Sequence, residues 1–194
     1  MDEITIETLD RVVLVRLTRP HIRNPLSTTV LERLFRIVGD VKHRADVRAL
    51  IFTGSEDVFA SGANLNEIAA LSTETAPSFA LRGQRLMNEV AEMAIPTIAA
   101  VNGYCYGGAL DLTLACRRRI ASPKSRFAHP GTGLGIITGW GGTQRLPRLI
   151  GRTRALEMFF TAEPVDAQRA LWMGLVDEVA DDPVAHALTF VAGQ

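Results

Sequence analysis

Two glycine-containing segments hold the residues whose types and spacing suit chemistry: FASGANL at 59–65 and NGYCYGGALDL at 102–112. In the second, Gly107 and Gly108 have no side chain, so a ligand can approach the backbone. A helix expected to begin there presents unpaired amides and the positive end of its dipole. Such a point stabilises an anion, or the negative charge that develops on a carbonyl oxygen during reaction. A tight turn followed by close helix packing asks for the same two glycines, so the pair alone does not separate function from structure. Asp111 falls in the first turn of that helix, where a carboxylate gains about 0.3–1 kcal/mol from the dipole whatever else it does. His129, one of 4 histidines, lies two residues before Gly131. If RFAH is extended, positions 129 and 131 face one side, and the imidazole is suited to proton transfer near neutrality. A structural hydrogen bond on a strand is its ordinary alternative.

The elements that must position these residues are legible as short blocks. Residues 3–8 and 12–17 alternate between apolar and polar positions around Asp10 and Arg11, which predicts an opening hairpin. Leu31, Leu34, Val38 and Val41 recur at helical spacing, with Ser27 or Thr28 as the cap. VRALIFTG at 47–54 and PTIAAVNG at 96–103 are apolar runs ended by glycine, with a helical stretch near 78–94 between them. Buried parallel strands are expected there. A helix from Gly107, the strand-like RRRIAS and RFAH, and a mostly helical tail complete an α/β chain. No linker or repeat divides it, so residues 1–194 are read as one domain.

Composition excludes several classes of function. Lys and Arg total 21 and so do Asp and Glu, which leaves no net charge to attract nucleic acid or anionic lipid. Arg117, Arg118 and Arg119 read as a partly solvated strand edge rather than an RNA site. No apolar stretch approaches the roughly 20 residues of a membrane span, and the acidic start does not resemble a secretory signal. A cytoplasmic protein without membrane or nucleic-acid partners is expected. Cys105 and Cys116 have no neighbours at ligand spacing, so no metal is expected. GTGLGIITG has Ile136 where a dinucleotide fingerprint needs its third glycine, and Ser61 lacks the GxSxG elbow of a hydrolase.

The wording of four segments is specific. FASGANLNEI, IPTIAAVNGYCYGGALDLTLAC, RIASPKSRFAHP and GLGIITGWGGTQRLPRLIG stand in the order and approximate spacing of the enoyl-CoA hydratase/isomerase, or crotonase, family. The resemblance runs from about residue 4 to 180 and implies a spiral of ββα units around an acyl-CoA site. It assigns two oxyanion amides to Ala63 and Gly108, both directed at the thioester carbonyl, and an acid–base role to Asp111. It implies a substrate-binding surface drawn from Ala60, Gly62, Asn64, Leu65, Tyr106 and Gly107, with His129, Gly131, Thr138, Gly139 and Trp140 completing the acyl pocket. Arg23 resembles a basic residue near the coenzyme A phosphates. Coenzyme A enters as part of the substrate, and no other cofactor is implied.

The departures from the family are as informative as the matches. Hydratases of the family use two glutamates; here Asp111 and Gly131 stand at those positions. Asp111 is shorter by about 1.5 Å, one carbon–carbon bond, and Gly131 transfers no proton. Asn64 and Arg117 also replace residues that are commonly aspartates. Two-glutamate hydration is therefore not expected as such, and decarboxylation, thioester hydrolysis, isomerisation or acyl-CoA binding without catalysis stay open. The resemblance further implies a homotrimer or a dimer of trimers, and a chain short of the family's closing helices. Only the stretch 183–192 is helical there, with Ala185, Leu188 and Val191 expected on its apolar face.

Overall fold

The computed structural model describes residues 3–193. The alternating start forms an antiparallel hairpin of β1 (Ile4–Leu9) and β2 (Val12–Leu17). Asp10 and Arg11 between them have φ of 44° and 68°, the positive pair whose twist matches that of the flanking strands. After β3 (Pro25–Leu26) comes α1 (Thr28–Lys42), where the Ser27 hydroxyl accepts the Val30 amide as an N-cap. The chain then passes through β4 (Ala49–Thr53), β5 (Val58–Ala60), β6 (Gly62–Ala63), α2 (Leu65–Ala69) and α3 (Ala76–Ala91). A second pass runs through β7 (Thr97–Val101), β8 (Tyr104–Tyr106) and α4 (Gly108–Ala115), and a third through β9 (Arg118–Ala121), β10 (Arg126–Ala128) and α5 (Gly142–Ile150). The remainder is α6 (Arg152–Thr161), β11 (Val165–Asp166), α7 (Ala167–Met173), β12 (Glu178–Val179) and α8 (Pro183–Ala192).

Each pass adds one strand to a larger sheet, one to a smaller sheet, and a helix. The larger sheet has the order β1-β2-β4-β7-β9-β12, parallel from β2 onward; the smaller has the order β11-β10-β8-β5. This is the expected α/β spiral of ββα units. β4 and β7 are buried on both faces, which is why their sequences are unbroken apolar runs rather than alternating ones. One face of the larger sheet meets the main core, and α8 covers the other with Ala187 and Val191.

Two expectations need correction. On α8 the buried face turns on Ala187 and Val191 with Leu188 beside them, while Ala185 is exposed. Ten residues rich in apolar side chains underdetermine the helical face, and the sheet selects it. Arg119 is not on a solvated edge: β9 lies between β7 and β12, and the buried guanidinium bonds Asp177 and the Cys116 carbonyl, the latter at 2.8 Å.

Trp140 binds the helical layer to the site. Its ring is 2% exposed and fills the space between two glycines: a Cβ on Gly83 of α3 would lie 2.2 Å from it, and one on Gly108 of α4 would lie 2.3 Å from it. The Phe79 ring stands 5.6 Å away. Glycine inside a helix is less favourable than alanine by about 0.8–1 kcal/mol, so propensity alone predicts that Gly83→Ala stabilises α3. The wedge predicts the opposite, because overpacking costs about 1–3 kcal/mol. Urea denaturation is expected to show a lower midpoint for Gly83→Ala, partly restored when Trp140→Leu is added. A midpoint equal to or above the parent's would contradict the wedge.

Candidate active site

Three loops meet where α4 begins. Gly62 and Gly107 have φ of 92° and 54°, values that side chains rarely adopt. Space is as restrictive as the dihedral: a Cβ on Gly62 would lie 2.6 Å from the Tyr106 carbonyl oxygen and 2.8 Å from the Gly108 nitrogen. The backbone at 62–63 therefore runs against the first turn of α4, and Ala63 and Gly108 border one cavity of about 250 Å³. As the first residue of its helix, Gly108 has no intrahelical acceptor for its amide. The loop also has a distant anchor, since Glu67 of α2 accepts the Thr28 amide at 2.9 Å and the Thr28 hydroxyl at 2.7 Å.

Most of the residues anticipated from the sequence border this cavity: Leu65, Gly107, Asp111 and His129, and farther along Gly131, Thr138, Gly139 and Trp140. Others stand apart from it. Ala60 is buried in β5, Gly62 backs the loop, and Asn64 caps α2 by accepting the Asn66 amide at 3.0 Å. Arg23 is exposed in a left-handed turn whose carbonyl accepts the Ser61 amide at 2.9 Å. Tyr106 is half-buried, edge-on to Tyr104. The apolar lining supplied by Ile68, Leu71 and Phe79 and by Leu134, Ile136 and Ile137 is not among the residues expected from the sequence. A signal existed, because leucine and isoleucines crowd the glycine-rich GLGIITG where a solvated loop would be polar.

Asp111 is fully buried. Thr138 donates its hydroxyl hydrogen bond to Oδ2, while Oδ1 has no partner among the described residues. Burial raises this carboxyl to about 7, against the lowering influence of Thr138, of the nearby Trp140 and Gly142 amides and of the Arg145 charge. Those amides favour the anion without reaching hydrogen-bond geometry. Gly142 leaves the necessary room, since a Cβ there would lie 2.2 Å from Oδ1.

His129 does not continue the strand, which ends at Ala128; it precedes a 3-10 turn at Pro130–Leu134. The expectation that 129 and 131 share one face of an extended segment is corrected accordingly. The buried ring packs on Phe159 at 5.1 Å, both nitrogens lack partners among the described residues, and Nε2 is 3.7 Å from Asp111 Oδ1. Burial lowers its pKa to about 4, so the imidazole is neutral. At Gly131 a Cβ would lie 2.9 Å from the Ile136 carbonyl oxygen, and the Ile136 amide bonds the Gly131 carbonyl at 2.9 Å. The turn's own backbone occupies the space into which a side chain at 131 would grow. Among the described residues, no group of three or more His, Cys, Asp or Glu is placed to hold a metal, and no helix is long and apolar enough to cross a membrane.

The two shifted groups give opposite pH slopes. Asp111 titrates near 3.8 when unfolded and near 7 when folded, so between those values the unfolded chain binds fewer protons and rising pH destabilises the fold. His129 titrates near 6.5 unfolded and near 4 folded; there the unfolded chain binds more protons, and rising pH stabilises the fold. The slopes offset each other between about 4 and 6.5. Asp111→Asn removes the first and keeps the second. Urea midpoints measured from pH 4.5 to 8 are expected to climb more steeply with pH in this variant than in the parent, with the variant the more stable of the two at pH 8. Parallel profiles would show that the carboxyl is not held protonated.

Comparison with known proteins agrees with this fold. The model of the family described as enoyl-CoA hydratase/isomerase matches residues 7–190. The short-chain-enoyl-CoA hydratase of Clostridium acetobutylicum is 35% identical over 182 residues, which is 93% of this chain and 70% of that protein. The crotonyl-CoA hydratase of Syntrophomonas wolfei is 37% identical over 179 residues, 92% of this chain and 69% of that one. Among solved structures, the enoyl-CoA hydratase from Bacillus anthracis superposes with a TM-score of 0.93 at 35% identity, covering 99% of this chain and 76% of that one. With its spiral of ββα units and a match over nearly its whole length, the chain belongs to the enoyl-CoA hydratase/isomerase family and has the crotonase fold.

Proposed function

We propose that this protein converts acyl-CoA thioesters through an enolate whose oxygen is held by the Ala63 and Gly108 amides, with Asp111 transferring the proton at the α-carbon. The single observation that carries this reading is the approach of the 62–63 backbone to the Gly108 amide at the edge of an apolar cavity that also contains Asp111. Two preorganised donors at one oxygen stabilise the enolate more than the neutral thioester, and losing one such donor typically costs about 3–4 kcal/mol in the transition state. A carboxyl near 7 is balanced between acid and base at neutral pH. The apolar wall suits an acyl chain. Hydration of a short enoyl-CoA is the reaction to measure first, since the two relatives are named for it. No cofactor is proposed beyond the coenzyme A of the substrate.

Acetoacetyl-CoA tests the enolate site directly, because its acidic α-carbon yields an enolate that mimics the reacting state. Enolate absorbance is expected to appear on mixing with the protein at neutral pH, and binding is expected to be at least 100-fold tighter than that of butyryl-CoA. Equal affinities with no enolate signal would leave acyl-CoA binding without catalysis as the better account.

Self-association as a trimer or a dimer of trimers is part of the same proposal. Phe160 on α6 and Trp172 on α7 are 77% and 68% exposed, an unusual exposure for aromatic rings on a surface without a partner. Light scattering at micromolar concentration is expected to give three or six times the 21.1 kDa of the chain. A clean monomer would count against the proposal.

A further inference from the structure

The cavity holds a second titratable side chain that the enolate reading leaves unused. Asp111 Oδ1 and His129 Nδ1 and Nε2 are buried without hydrogen-bond partners; the other such atoms among the described residues are the Nε atoms of Arg118 and Arg119 on β9. Orphaned buried polar atoms are costly, and three of them on two residues that line one cavity point to a polar group that the substrate or a water supplies. The two residues come from different turns of the spiral, α4 and the end of β10, yet Nε2 and Oδ1 stand 3.7 Å apart. The second position of the family's glutamate pair cannot serve, because the turn backbone at Ile136 fills the space beside Gly131.

We propose that Asp111 and His129 act as an acid–base pair: the imidazole takes a proton from the water that adds to the β-carbon, and the Asp111 carboxyl delivers a proton to the α-carbon. This rests on the enolate reading above. The water oxygen bonds the β-carbon as its proton passes to Nε2, and the π electrons of the double bond move onto the thioester oxygen between the two amides. The enolate then collapses, its α-carbon taking the proton of Oδ1. The imidazolium returns its proton to the carboxylate 3.7 Å away, so the net reaction is addition of one water. The protonation states agree with these roles, since burial keeps the imidazole neutral above about 4 and the carboxyl protonated up to about 7. Thr138 bonds Oδ2 and so leaves Oδ1 as the free atom. Among the described residues, the other charged and titratable groups that act on the pair are Arg145 from α5, which stays cationic, and Cys105 from β8, whose buried thiol stays neutral.

The test is the pH dependence of crotonyl-CoA hydration by the full chain. A neutral base with a protonated acid gives kcat/KM that is highest between about 4 and 7 and falls above about 7. Asp111 working alone as a base gives the opposite, a rate that rises through about 7, and that result would overturn the pair. His129→Gln is expected to lower kcat by at least 100-fold, to leave KM within about threefold, and to abolish the acid limb of the profile. A folded variant that hydrates as the parent does, or loses only affinity, would also overturn it; if the variant does not fold, the parent's profile decides. Exchange of the α-protons of butyryl-CoA in deuterated water separates the two readings. Exchange without hydration by the parent overturns the pair and leaves the enolate site standing, whereas a folded parent that does neither removes both.

Discussion

Helix α4 is buried along its whole length, from Gly108 to Ala115, and the site follows from that constraint. A helix without a solvent face must pack on every side, so its first residue has room for no side chain and Trp140 fills the space instead. The same constraint acts on its one carboxyl. A charge in such a place is expensive unless paired, and among the described residues Asp111 meets a threonine hydroxyl, two amides at a distance, the partly buried Arg145 and the neutral imidazole of His129. It therefore holds its proton to about neutrality. Fold and proton affinity share one cause: the packing that buries α4 also raises the pKa of its carboxyl.

Asp111 and Gly131, standing where the family resemblance implies two glutamates, set the shape of the cavity as well as its charge. Glycine at 131 lets the turn after β10 fold onto itself through the Ile136 amide, and Thr132 fixes that turn to α6 by bonding the Phe159 carbonyl at 2.6 Å. The following residues bring Leu134, Ile136 and Ile137 to the cavity. Backbone and apolar wall thus occupy the space beside Gly131. The imidazole of His129 stands 3.7 Å from Asp111 Oδ1, and burial alone sets the direction of its pKa shift.

The sequence by itself determined an α/β chain with buried parallel strands, and its family-like segments implied the spiral. Unbroken apolar runs at β4 and β7, an alternating hairpin and a capped α1 are local patterns, and each states which surface must be buried. It also determined that two glycine loops lie at the ends of parallel strands, and the four family-like segments named the residues of the cavity's polar side. What it could not determine was contact between distant segments. That Gly83 exists to admit Trp140, that Gly142 makes room for Asp111, and that Ile136 fills the space beside Gly131 are relations across 57, 31 and 5 positions, in which small side chains matter only for what they touch. His129 shows the difference most clearly. Its place at the end of a strand was legible, but a solvated histidine and a desolvated one have the same sequence. Only the tertiary structure decided which, by closing Phe159, Asp111 and the 130–134 turn around the ring and leaving both nitrogens without a partner.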